Sequence, residues 1–114
     1  MATQQIPRAE WNEFLSTFSA HNQTRNVVVE MENMDLGVQR VIDGKPLLGV
    51  EPDLKDEHES TITVVAGDPQ GGKPAALTHQ VMNPQAIWIK QNEEGEAEAL
   101  DIETEDGRTI IEFV

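Results

Sequence analysis

From Thr24 to the last residue the chain is a succession of short apolar runs, each cut off by a turn signal within 8–12 residues. Val27-Val28-Val29 and Met31 make the first run, followed by the turn Asn33-Met34-Asp35-Leu36-Gly37. Val38–Ile42 follows, then Asp43-Gly44-Lys45-Pro46. Leu47–Leu54 is broken by Gly49 and Pro52, which points to a bulge or an edge position. Ser60–Ala66, Ala76–Met82, Ala86–Gln91, Ala99–Thr104 and Thr109–Val114 complete the series. Asp106-Gly107 is a hairpin dipeptide. Seven or eight short strands with connections too brief for helical crossovers pair antiparallel with their sequence neighbours.

Ahead of this body lies one stretch of a different period. Between residues 7 and 21 the apolar residues Trp11, Phe14, Leu15 and Phe18 fall at i, i+3, i+4, i+7, one face of an α-helix. Pro7 suits its first turn, where a missing N–H costs nothing. Residues 1–6 read as a flexible lead. The expectation is a single α+β domain over 1–114: an N-terminal amphipathic helix packed on a mostly antiparallel β-sheet curling toward a small barrel. The aromatic stripe is read as the helix face that joins the core.

Composition removes several functions. The chain has no cysteine, so thiolate chemistry and disulfides are out, and a cytoplasmic location is expected. Eight basic against 21 acidic residues give a net charge of −13, which repels a phosphate backbone and an anionic membrane surface. No nucleic-acid or membrane partner is therefore expected. No run has the roughly 18 apolar residues a spanning helix needs.

Three features carry whatever chemistry can be read. Gly67 to Lys73 matches G-x-x-x-x-G-K after a strand, but Pro74 stands where a phosphate loop needs Ser or Thr, and strand follows where it needs helix. The loop reads as a connection. Glu93 to Asp106 holds eight acids and no base, without the spacing of a calcium loop, and reads as a solvated strand face with its turns. His21, His58 and His79 show no metal-ligand spacing. His58 lies among Asp53, Asp56, Glu57 and Glu59, and His79 alternates with Leu77 and Val81 on a strand. No catalytic residue, metal ligand or cofactor is assigned. The candidate binding residues are Trp88, His79 and His58.

The stretch His79-Gln80-Val81-Met82-Asn83-Pro84-Gln85-Ala86-Ile87-Trp88-Ile89 poses the sharpest question. Leu77, Val81, Ile87 and Ile89 are expected in the core, with Asn83-Pro84 as the turn that sets their register. Trp88 alternates with the isoleucines and must point the other way, either under the helix or on an outer face.

The same stretch, with the opening Ile6-Pro7-Arg8-Ala9-Glu10-Trp11-Asn12-Glu13-Phe14-Leu15 and the ending Ala99–Thr109, resembles the domain-of-unknown-function 5335 family of small uncharacterised bacterial proteins. The resemblance spans nearly the whole chain and implies one domain of this length. It implies no activity, cofactor or site residue. The functional reading is a non-enzymatic binding or interaction module whose partner is another protein or a second copy of the chain. Two alternatives stay open: an enzyme with a carboxylate or histidine site, and a weak divalent-metal binder using residues 93–106.

Overall fold

The computed structural model describes residues 2–55, 59–67 and 76–114. Its elements run β1 (Ala2–Ile6), a single 3-10 turn (Arg8–Glu10), α1 (Trp11–Asn22), β2 (Asn26–Asn33), β3 (Gly37–Asp53), β4 (Thr61–Ala66), β5 (Leu77–Met82), β6 (Ala86–Gln91), β7 (Ala97–Glu103) and β8 (Gly107–Phe113). One helix thus packs on an eight-strand antiparallel sheet of order β1-β6-β7-β8-β2-β3-β4-β5. The sheet is curved and not closed into a barrel.

The helix buries Trp11, Leu15, Phe18 and Asn22. These residues repeat at the helical period, so the expected stripe is the core-facing one. Phe14 stacks on Phe18 with ring centroids 5.9 Å apart, and Phe18 meets Phe113 of β8 at 5.8 Å. The sheet contributes alternate residues to the same core: Val27 and Val29, Ile62 and Val64, Ile87 and Ile89, Leu100 and Ile102. Such alternation puts one face of each strand against the helix and leaves the other outside.

Three expectations need correction. Residues 1–6 are not a loose lead: Ala2–Ile6 is β1, paired antiparallel with β6 in the register Ile6↔Ile87 to Ala2↔Gln91. Polar Thr3, Gln4 and Gln5 mask the strand in sequence, and it forms because β6 offers an edge. Asp43-Gly44-Lys45-Pro46 does not end a strand. Val27 faces Lys45 and Val28 faces Asp43, so Gly44, at φ 67°, is the extra residue of a bulge inside one long strand. A second irregularity, between Leu47 and Gly49, bends β3 again. Leu77 is 36% exposed, at the start of β5, the last strand in the sheet order.

The bends let β3 belong to two half-sheets. Its first part pairs with β2 and its second with β4, on opposite edges. In the second part, the edge facing away from β4 is sealed by the helix. The Ser19 hydroxyl donates to the Val50 carbonyl and accepts from the Val50 amide, at 3.2 and 2.8 Å. In the first part, Gly37–Ile42, no strand among the described residues pairs with the second edge.

Asn83, at φ 52°, turns the chain from β5 to β6, a left-handed conformation asparagine tolerates. The turn is not a hairpin. The Asn83 amide donates to Ser60 and the Gln85 amide to Glu103, so the two strands leave into different half-sheets.

Candidate functional site

Trp88 lies on the outer face of β6, half-buried, while Ile87 and Ile89 beside it are in the core. It is not under the helix. Its indole N–H donates to Glu103 Oε1 at 2.6 Å, which fixes the ring against β7. Around it, Thr3, Lys90, Asp101, Arg108 and Ile110 line an open depression of about 410 Å³. Arg108 bridges Asp101 of β7 and Glu32 of β2 at 3.1 and 3.2 Å. Burial pushes the Asp101 carboxyl above the ordinary range, and the Arg108 guanidinium only partly offsets this. Asp101 Oδ1 is buried and has no hydrogen-bond partner among the described residues.

His79 points to the other face, from β5 across the interior to β8, where its Nε2 stands 3.3 Å from Thr109 Oγ1. Thr109 is buried. The pair closes one end of the curved sheet above a cleft of about 290 Å³ lined by Met31, Glu32, Met82, Asn83, Glu105 and Asp106, among others. Burial lowers the His79 pKa from its ordinary value, which favours the neutral imidazole. A depressed histidine pKa means that the unfolded chain takes up a proton at a pH where the folded chain resists it. Stability is therefore complete above the unfolded pKa and is lost as pH falls through it toward the folded one. Urea midpoints measured from about pH 7 to about pH 5 should fall less for His79→Gln than for the wild type. Parallel curves for the two proteins would show that His79 contributes nothing to the pH dependence. The carboxylates Glu32, Glu105 and Asp106 on the same cleft are common to both.

The expected candidates do not come together. Trp88 and His79 occupy opposite faces of the sheet. His58 and residues 68–75 of the G-x-x-x-x-G-K loop lie outside the described residues. The acidic segment is divided. Glu93, Glu94 and Glu96 belong to the β6–β7 turn, Asp101 and Glu103 to the Trp88 face, and Glu105 and Asp106 to the β7–β8 tip. Among the described residues no three carboxylate or histidine side chains converge on one point.

Two surfaces went unread in the sequence. The first is the β2–β3 tip, where Met34, Leu36 and Val38 are 84, 65 and 59% exposed. Large apolar residues inside a turn were the signal available. The second is a cleft beside α1 with Arg25 on its wall, the arginine stacked on Phe113 from the far end of the chain.

Fold and surface together define a small acidic α+β domain, a helix on a curved antiparallel sheet with no convergent set of catalytic groups among the described residues. The chain belongs to a family of unknown function, DUF5335, whose profile matches residues 2–114. It is similar to an uncharacterized protein of Aquifex aeolicus (strain VF5), at 23% identity over 111 residues, covering 97% of this chain and 90% of that one. No solved structure matches it. No helix among the described residues is long and apolar enough to cross a membrane.

Proposed function

We propose that this protein is a non-enzymatic interaction module that takes up an extended, basic segment of a partner protein along the free edge of Gly37–Ile42. The observation that carries the reading is the exposure of Met34, Leu36 and Val38 on the hairpin that bears that edge. An unpaired strand presents a row of N–H and C=O groups ready to pair with another chain. The same strand has its other free edge sealed by Ser19, so the open stretch stands out within one element.

Adding a strand provides backbone hydrogen bonds, and the flanking side chains provide selectivity. Here Met31 and Met82 line the neighbouring cleft, and the Met34 amide is tied to the Asp106 carbonyl at its rim. Methionine adapts to varied apolar partners. Glu32, Glu105 and Asp106 on the cleft and Asp35 in the turn outnumber Arg40 and Arg108 at this end, which favours lysine or arginine on the incoming segment. A second copy of the chain would bring another −13 charge to the contact and is the poorer occupant. The enzyme reading rests on a carboxylate or histidine site, but His58 with its acidic neighbours lies outside the described residues, and His79 stands on the opposite face of the sheet from Asp101. The metal reading rests on acids spread over two tips and one face.

The test uses isotope-labelled protein titrated with a short peptide of alternating lysine and valine. Saturable amide shifts confined to Gly37–Ile42 and the Met34–Leu36 tip are expected. Leu36→Ser with Val38→Ser, which removes the apolar contacts and leaves the charge unchanged, should weaken binding by about tenfold or more while the spectrum stays that of a folded protein. Shifts that are absent, or unchanged in the double variant, would sink the proposal. Light scattering that shows a stable dimer would replace the peptide by a second copy.

A further inference from the structure

Arg25 is braced on two sides, by an aromatic ring and by an amide oxygen. Its guanidinium carbon sits 4.0 Å above the centroid of the Phe113 ring. Its Nη1 donates to Asn22 Oδ1 at 2.7 Å. Asn22 is itself buried, and its own amide nitrogen donates to the Phe18 carbonyl at 2.8 Å. The head group is thus stacked on an aromatic face and anchored through one nitrogen, with donors of its planar fork left over. In a chain with 21 acidic residues, Arg25 makes no ion pair among the described residues, whereas Arg40, Lys90 and Arg108 do.

The arginine stands on the wall of a cleft of about 380 Å³ between the last turns of α1 and the β6–β7 tip. Phe14, Phe18, Ile89 and Ala97 make the apolar part of this cleft. That volume is at the small end of the range for small-molecule sites, which are mostly apolar with a few fixed polar groups. A carboxylate matches a guanidinium fork with two parallel hydrogen bonds.

We propose that this cleft binds a small organic acid, with its carboxylate on Arg25 and its apolar body against Phe14, Phe18 and Ile89. The long-range charge of the protein opposes an anion, but at physiological salt that field is screened over roughly 8 Å. Contact with the braced guanidinium then decides the sign. Glu96 on the opposite rim disfavours acids with a second negative group.

Calorimetry with octanoate and phenylacetate, against octan-1-ol and octylamine as controls, tests this. At least one acid should bind saturably, with the alcohol and the amine weaker by about tenfold or more. Arg25→Gln should reduce the affinity for that acid by a similar factor. Thr17→Trp, at an exposed helix position on the cleft mouth, should block binding without touching the core or the arginine. The second variant keeps the test valid if loss of the Phe113 stack weakens folding in the first. No saturable binding of either acid, equal binding of octan-1-ol, or an unaffected Thr17→Trp variant overturns the proposal.

Discussion

Trp11→Ala is expected to lower the unfolding free energy by about 3–5 kcal/mol, the cost of emptying a large buried aromatic site. Trp11 is 1% exposed and lies where the helix meets the sheet. Its indole N–H donates to the Ile6 carbonyl at 2.9 Å, and the Arg8 guanidinium lies 4.8 Å from its ring centroid. The side chain therefore fills the core and also ties the end of β1 to the start of α1. Its loss leaves a cavity and removes the hydrogen bond to the Ile6 carbonyl together. A domain of this size has only about 5–15 kcal/mol of stability in total, so the variant should unfold at far lower denaturant. Trp11→Phe separates the two roles. It keeps most of the volume and should cost about 1–2 kcal/mol, chiefly through the lost hydrogen bond. Chemical denaturation of the three proteins checks this. A loss below about 1 kcal/mol for the alanine variant would mean that the helix is not anchored through this residue.

The second large effect is expected at Gly107. A Cβ built there would overlap the carbonyl oxygen of Glu32, and it would stand 2.9 Å from that residue's carbonyl carbon and 3.1 Å from Asn33 Cα. These are backbone atoms, which cannot rotate aside as a side chain can. Gly107 pairs with Asn33 at the first rung of the β2–β8 ladder. Gly107→Ala must therefore push β8 away from β2 at that rung and disturb the Met34-to-Asp106 hydrogen bond beside it. The expected cost is at least the 1–3 kcal/mol or so of an overpacked core site. Gly44→Ala is a useful contrast. Gly44 has a positive φ but nothing within 4 Å of its Cβ position, so only the left-handed backbone penalty of about 1–2 kcal/mol applies. Thermal unfolding of both variants should rank Gly107→Ala as the more damaging. The reverse order would show that the β2–β8 rung yields easily.

Gly107 also shows how sequence reading can name the right residue for the wrong reason. Asp106-Gly107 signalled a tight turn, and a turn is there, closed by the Thr104 amide on the Gly107 carbonyl at 2.8 Å. The glycine is required because Glu32, 75 positions away in the chain, passes too close for a side chain. No local pattern contains that information. Gly44 is the converse case, a turn dipeptide that serves a bulge. A bulge and a turn use the same residues, and which one forms depends on whether β2 continues alongside.

Local chemistry was sufficient for much of the rest. The stripe Trp11, Leu15, Phe18 marked both the helix and its buried face, because the 3.6-residue period is written in the order of residues. The alternation of Ile87, Trp88 and Ile89 aimed the tryptophan away from the two isoleucines, because the strand period is equally local, and left open whether the helix or the outer face received it. The same rule did not say what the tryptophan would meet. Its position above Glu103 and beside Asp101 and Arg108 follows from the register of β6 on β7 on β8. Leu77 failed for a related reason: alternation gives direction but not cover, and β5 is an edge.

By itself, then, the order of residues determined the helix and its core face, the approximate place of the strands after it, and the alternation that aims Trp88 away from Ile87 and Ile89. These depend on periods of two and 3.6 residues, which act over one or two turns of chain. Only the tertiary structure decided that residues 2–6 form a strand, that β3 runs through two half-sheets with one edge sealed by Ser19 and another without a strand partner among the described residues, and that Arg25 comes to rest on Phe113. Each depends on contacts between segments far apart in the chain. Such contacts arise when the sheet curves and every strand must find a neighbour for its backbone hydrogen bonds. The surfaces proposed for binding belong to this second group.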